Sequence, residues 1–280
     1  MLRFRVLSLV LIVIATAANV IPADEFSQRN AVSDTPDTRA LPTPEKFHLF
    51  LLVGQSNMAG RGVVEAEDQV PHPRVLMLNA AGQWVPAVAP LHFDKSAAGV
   101  GLGRTFGLEI AEQFPDITVG LIPCAVGGSP IAAWQPGEYY RPTLSHPWDD
   151  AVHRAKIAQR HGRIQGILWH QGESDSKEGL SAIYAGELET LIRRFRTDLQ
   201  IPDTPFLAGQ MGQFTERPWD EFKRQVDAAH RELPQHVTGT AFVSSDGLKH
   251  KGDFVHFDSA SYRELGRRYA DAFLSLRTGD

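Results

Sequence analysis

Cysteine is nearly absent. Cys124 is the only one in 280 residues, so no intramolecular disulfide can form and the apolar core alone must hold the fold, which a chain of this size can do. An excess of positive charge is also missing. Lys and Arg number 28 against 33 Asp and Glu, for a formal net charge of -5, and that balance gives no electrostatic reason to expect nucleic acid, which needs a basic face, and does not suggest a polybasic membrane contact. No G-x-x-x-x-G-K-[ST] loop occurs, and Gly101-Leu102-Gly103 lacks the third glycine of a dinucleotide fingerprint. After the first residues no apolar run is long enough to cross a bilayer. Internal repeats are lacking too. His146, His153 and His161 fall in or near one predicted helix without companion Cys or carboxylate spacing, so they read as surface or packing residues and no metal is expected.

What is present is ordered along the chain. Arg3 and Arg5 precede an almost unbroken apolar run from Val6 to Ala17, and Ala15-Thr16-Ala17 has the small-x-small pattern of a cleavage site; residues 1–23 are expected to be a signal peptide, making the protein secreted or periplasmic with no lasting membrane insertion. Residues 24–45, rich in Asp, Ser, Thr and Pro, read as a flexible linker. Residues 46–280 form one domain, and a 42% hydrophobic content suffices for its core.

Within that domain apolar strands alternate with amphipathic helices. Strands are predicted at 47–53, 74–78, 118–123, 164–169, 205–208 and 237–244. Helices are predicted at 103–114, 148–160, 181–199, 219–233 and 259–276, with Phe106, Ile110 and Phe114 on one helical face and Leu188, Leu191, Ile192 and Phe195 on another. Such alternation implies a mostly parallel sheet with helices on both faces, whose functional site lies beyond the carboxyl ends of the strands.

Four polar clusters stand at such positions. Gly54-Gln55-Ser56-Asn57-Met58-Ala59-Gly60 follows the first strand and puts a serine at its end; the serine is either a helix cap or a nucleophile, and Met58 excludes the G-x-S-x-G elbow. Cys124-Ala125-Val126-Gly127-Gly128-Ser129 follows another strand, and its glycines let backbone N–H groups approach an oxyanion, although a plain tight turn reads the same way. Cys124 itself, in an apolar stretch, reads as core. Trp169-His170-Gln171-Gly172-Glu173-Ser174-Asp175 offers the Gln171 amide as a donor and Glu173 as an acid able to orient a histidine. Gly252-Asp253-Phe254-Val255-His256-Phe257 precedes the last helix; Asp253 can take the imidazole Nδ1–H and leave Nε2 of His256 for a serine.

In combination these clusters resemble the SGNH hydrolases, in the branch of sialate O-acetylesterase domains and the acetyl xylan esterases of carbohydrate esterase family six, with the plant-type members most similar. The resemblance rests on Leu52 to Gly62, Leu121 to Gly128, Leu168 to Asp175 and Asp253 to His256, and it runs from about Lys46 to the C-terminus. It implies a flavodoxin-like three-layer α/β/α sandwich with a mostly parallel five-stranded sheet. It also implies Ser56 as nucleophile, Asp253 and His256 as its partners, Glu173 as an acid near the histidine, and an oxyanion hole of Ser56, Gly127 (with Gly128 as the neighbouring alternative) and Gln171, where many SGNH enzymes have Asn. The function implied is removal of O-acetyl groups from an acetylated carbohydrate without a cofactor. A lipase or thioesterase of the same superfamily would need a greasy channel, whereas Trp134, Gln135, Tyr139, Tyr140 and Arg141 suit stacking on a sugar. A carbohydrate-binding protein that has lost catalysis is opposed by the intact Ser, Asp and His.

Overall fold

A computed structural model describes residues 40–278; the expected signal peptide and most of the linker lie outside them. Pro44–Lys46 make one 3-10 turn. The chain then runs β1 (Phe47–Gly54), α1 (Ser56–Ala59), β2 (Val75–Leu78), β3 (Trp84–Pro86), α2 (Leu102–Gln113), β4 (Thr118–Pro123), α3 (Pro147–Ala158), β5 (Arg163–His170), α4 (Tyr184–Asp198), β6 (Phe206–Gly209), α5 (Glu221–His236), β7 (Thr240–Val243) and α6 (Ser259–Thr278). Among the described residues no helix is long and apolar enough to cross a membrane.

The period-two geometry of strands explains the layering. In β1, Phe50 and Leu52 point to one side, where Phe106 and Ile110 of α2 and Leu265, Tyr269 and Phe273 of α6 cover them. Leu49, Leu51 and Val53 point to the other, against Trp148 and Ala151 of α3, Leu188, Ile192 and Phe195 of α4 and Val226 of α5. β1 is therefore buried on both faces, which is why it reads as a continuous apolar run rather than an alternating one. The three-layer α/β/α architecture follows directly.

The sheet has seven strands in the order β3-β2-β4-β1-β5-β6-β7, which corrects the expected five. Every neighbouring pair is parallel except β2–β3. β3 is the unexpected strand. A turn at Asn79–Gln83, closed by the Gln83 N–H on Asn79 Oδ1 at 2.9 Å, folds Trp84–Pro86 back onto β2, too short a segment to leave a period in the sequence. At the opposite edge β7 is confined to Thr240–Val243, inside the longer strand expected there.

This order places the carboxyl ends of β4, β1 and β5 side by side at the middle of the sheet. Three of the four polar clusters leave from these ends. Gly54 closes β1 opposite His170 at φ +128°, where a Cβ would run into the His170 carbonyl; only glycine permits this crossing.

Candidate active site

Ser56 opens the short helix α1, directly after the sharp turn at Gly54-Gln55, and its side chain is nearly covered. The fourth cluster reaches it from the loop before α6. His256 Nε2 stands 2.9 Å from Ser56 Oγ. The other ring nitrogen, Nδ1, is 2.7 Å from Asp253 Oδ2. Asp253 Oδ1 accepts the backbone N–H groups of Val255 (3.0 Å) and His256 (2.8 Å). One carboxylate thus organises its own turn and holds the ring, with Phe254 in the left-handed region at φ +58°. Burial pushes the Asp253 carboxyl up, but the hydrogen bonds from the backbone and imidazole of His256 outweigh it and bring the group down to about 2. Asp253 is therefore an anion at any working pH, and the imidazole is left with Nδ1–H on the acid and Nε2 facing the serine.

Asn57 binds the clusters together, a role that its place in the first motif does not reveal. Its amide donates to Glu173 Oε1 at 2.6 Å and to the Val255 carbonyl at 3.1 Å, and its Oδ1 accepts from the Tyr262 hydroxyl at 2.7 Å. Glu173 accordingly meets Asn57, while His256 takes Asp253. The acid of the third cluster holds the Asn57 amide, and Asn57 itself ties the serine turn to the histidine turn through Val255.

Gln171 is a correction. It is fully buried, and its amide N–H groups are spent on Gln55 Oε1 (3.2 Å), the Ser129 carbonyl (3.1 Å) and Asp175 Oδ2 (2.5 Å). Its Oε1 accepts from the Tyr184 hydroxyl at 2.8 Å. No donor remains for an oxyanion; Gln171 instead fixes Gln55, the residue before Ser56. Gly127 is a second correction, because its N–H already donates to Asp94 Oδ2 at 2.8 Å. By contrast, the N–H groups of Ser56 and Gly128 meet no acceptor among the described residues. Asp94 lies in the loop between β3 and α2, outside every motif, and only the folded chain brings it here.

The expected sugar-stacking loop divides. Trp134 is fully buried, packs edge-on against Trp169, and donates its indole N–H to Ser129 Oγ at 2.9 Å; it is core. Tyr140 donates to the Gly128 carbonyl at 2.7 Å. Tyr139 is 52% exposed, so its ring is open to a ligand. Burial pushes the Cys124 thiol up to about 11, which keeps it protonated and unreactive. Among the described residues no group of three or more His, Cys, Asp or Glu is placed to hold a metal ion.

Behind the site Tyr184 bridges Gln171 to His230 Nε2 at 2.9 Å, and His170 Nδ1 meets the Tyr269 hydroxyl at 3.1 Å. Burial pulls both histidines down to about 3, so both are neutral in the folded protein. In the unfolded chain they take up a proton below the ordinary value of 6.5. Stability is therefore complete above that value and falls with pH beneath it, by about 1.4 kcal/mol per pH unit for each histidine. Urea unfolding at pH 7 and pH 5 is expected to show a drop of several kcal/mol, and His230→Phe is expected to flatten that dependence; an equal drop in both proteins would contradict the assignment.

The chain is similar to known carbohydrate esterases in sequence and fold. A family model described as carbohydrate esterase, sialic acid-specific acetylesterase, matches residues 46–275. A probable carbohydrate esterase of Arabidopsis thaliana is 30% identical over 263 residues, covering 86% of this chain and 95% of the relative. The crystal structure of an Arabidopsis thaliana protein superposes with a TM-score of 0.73 at 28% identity, over 83% of this chain and 99% of that one. At the level of fold alone, a carbohydrate acetylesterase from Xanthomonas citri is similar with a TM-score of 0.63 at 18% identity, over 84% of this chain and 57% of that one.

Proposed function

Since the chain belongs to the carbohydrate esterase family of sialic acid-specific acetylesterases and is a carboxylic ester hydrolase, we propose that it removes O-acetyl groups from sugars by acyl transfer through Ser56. The observation that carries this reading is the unbroken line from Asp253 through His256 to Ser56, with steps of 2.7 and 2.9 Å. His256 Nε2 takes the Ser56 proton as Oγ attacks the acetyl carbonyl. Asp253 holds Nδ1–H and stabilises the imidazolium. The tetrahedral intermediate places its negative oxygen on free backbone donors, the Ser56 N–H among them. His256 then gives the proton to the departing sugar oxygen, leaving acetyl on Ser56. A water molecule deprotonated by His256 attacks that ester, and acetate leaves as Oγ regains its proton. Each step uses side chains already within hydrogen-bond reach and needs no cofactor.

The substrate is an acetylated carbohydrate, with acetylated xylan and O-acetylated sialic acid as the two leading forms. Its site of action is the periplasm or the medium, as the apolar run Val6 to Ala17 behind Arg3 and Arg5 favours.

The test is acetate release from acetylated xylooligosaccharides and from O-acetylated sialic acid, set against hydrolysis of p-nitrophenyl acetate and p-nitrophenyl octanoate. The expected result is a kcat/KM on one acetylated sugar at least about 100-fold above that on the octanoyl ester, equivalent to about 2.7 kcal/mol. A preference for octanoate would make the protein a lipase of the same fold.

A further inference from the structure

The Gly127–Gly128 segment is clamped on every side but one. Gly127 N–H donates to Asp94 Oδ2 at 2.8 Å. The same carboxylate oxygen takes Arg61 Nη2 at 2.7 Å, in an ion pair whose side chains are 5% and 2% exposed. Arg61 Nη1 donates in turn to the Gly60 carbonyl at 2.7 Å. The Gly128 carbonyl accepts the hydroxyls of Tyr140 (2.7 Å) and Ser174 (2.9 Å). Beyond it, the Ser129 N–H and hydroxyl both donate to the Val126 carbonyl, at 3.1 and 2.8 Å. Between these ties the Gly128 N–H has no acceptor among the described residues. Gly128 sits at φ +84°, and a Cβ on Gly127 would collide with the Arg61 guanidinium and the Asp94 carboxylate, so this backbone path requires glycine at both positions. The segment lies beside the nucleophile turn, since Val126 N–H donates to the Gly54 carbonyl at 2.9 Å.

An oxyanion donor must be unpaired in the resting enzyme, aimed, and immobile. Gly127 N–H fails the first condition, because a charge-assisted bond to a buried carboxylate is among the strongest that an amide makes. Gly128 N–H meets the first and, through the clamp, the third. We propose that Asp94, fixed by Arg61, is a positioning residue for acyl transfer: by engaging Gly127 N–H it sets the adjoining peptide so that Gly128 N–H, with Ser56 N–H, receives the oxyanion. A buried ion pair is weak evidence of a stabilising role, because desolvation offsets most of its Coulomb attraction. This pair ties the loop before α2 to the turn after α1 and, through the Gly127 N–H, to the loop after β4. The inference rests on the serine-esterase reading above.

The experiment compares the full chain with Asp94→Ala and Asp94→Asn, using p-nitrophenyl acetate, an acetylated sugar and a phosphonate analogue of the tetrahedral intermediate. Loss of the clamp is expected to lower kcat about 100-fold, the scale of a misplaced reacting group, with KM changed less than about 3-fold. The phosphonate should bind more weakly by the factor lost in kcat/KM. Asp94→Asn keeps an acceptor for Gly127 and is expected to recover part of the rate. If Asp94→Ala does not fold, Asp94→Asn decides by the same kcat-against-KM split. A kcat unchanged or raised in the folded variant would overturn the proposal, because freeing Gly127 N–H would then have supplied a better donor. Ser56→Ala in the same assay separates the two readings. Wild-type activity that survives it overturns both, whereas serine-dependent activity indifferent to Asp94 overturns this inference alone.

Discussion

Ser56→Ala is expected to lower kcat for acetate release by about 10⁴–10⁶-fold while the protein keeps its fold and binds substrate. The size follows from what the substitution removes. Without Oγ no acetyl-enzyme forms, and the reaction must proceed by direct attack of water, helped only by binding and by backbone donors. His256→Ala should cost a similar factor, and the double variant little more than either single one, because nucleophile and base act as a unit. The hydroxyl makes one contact beyond its motif, to His256 Nε2 at 2.9 Å, so stability should change by less than about 1 kcal/mol. Steady-state rates together with urea unfolding check both halves.

The second large effect separates the two acids. Asp253→Asn is expected to lower kcat by about 10³–10⁴-fold. An amide nitrogen facing Nδ1 favours the imidazole tautomer with its proton on Nε2, and that form cannot accept from Ser56. The loss should persist across the whole working range, because Asp253, at about 2, is ionised throughout. Glu173→Gln is expected to cost about 10-fold. Glu173 contacts Asn57 at 2.6 Å, and an amide oxygen can still accept from that side chain. Parallel measurement of kcat for the two variants decides; equal losses would mean that Glu173 shares the task of Asp253.

Much of this was legible in the sequence, for physical reasons that differ from place to place. β1, β4 and β5 are buried on both faces and declare themselves as short apolar runs, while α2 and α4 carry a helical stripe through Phe106 and Ile110 and through Leu188, Ile192 and Phe195. β3 has three residues ending in Pro86, too few for any period, so the sheet proved wider than expected. Asp253 and His256 are legible because their contact is local: one turn, with the two residues three apart, brings carboxylate and ring together. Gln171 and Gly127 stand in the expected motifs, but which way their N–H groups point depends on distant partners, Gln55 and Ser129 for the one and Asp94 for the other. Trp134 departs from its expected place for a related reason. An aromatic residue in a loop looks available in sequence, and only packing against Trp169 shows it to be core. Asp94, Arg61 and Asn57 gain their roles from contacts among separate loops, which spacing along the chain does not encode.

The most direct test of the central claim is to treat the protein with a fluorophosphonate, locate the adduct by peptide mass spectrometry, and follow acetate release from an acetylated sugar as labelling proceeds. The account predicts a single adduct on Ser56, with acetate release falling in proportion to labelling and reaching zero at one equivalent. An adduct on another residue, or full acetate release from a chain fully labelled at Ser56, would contradict it.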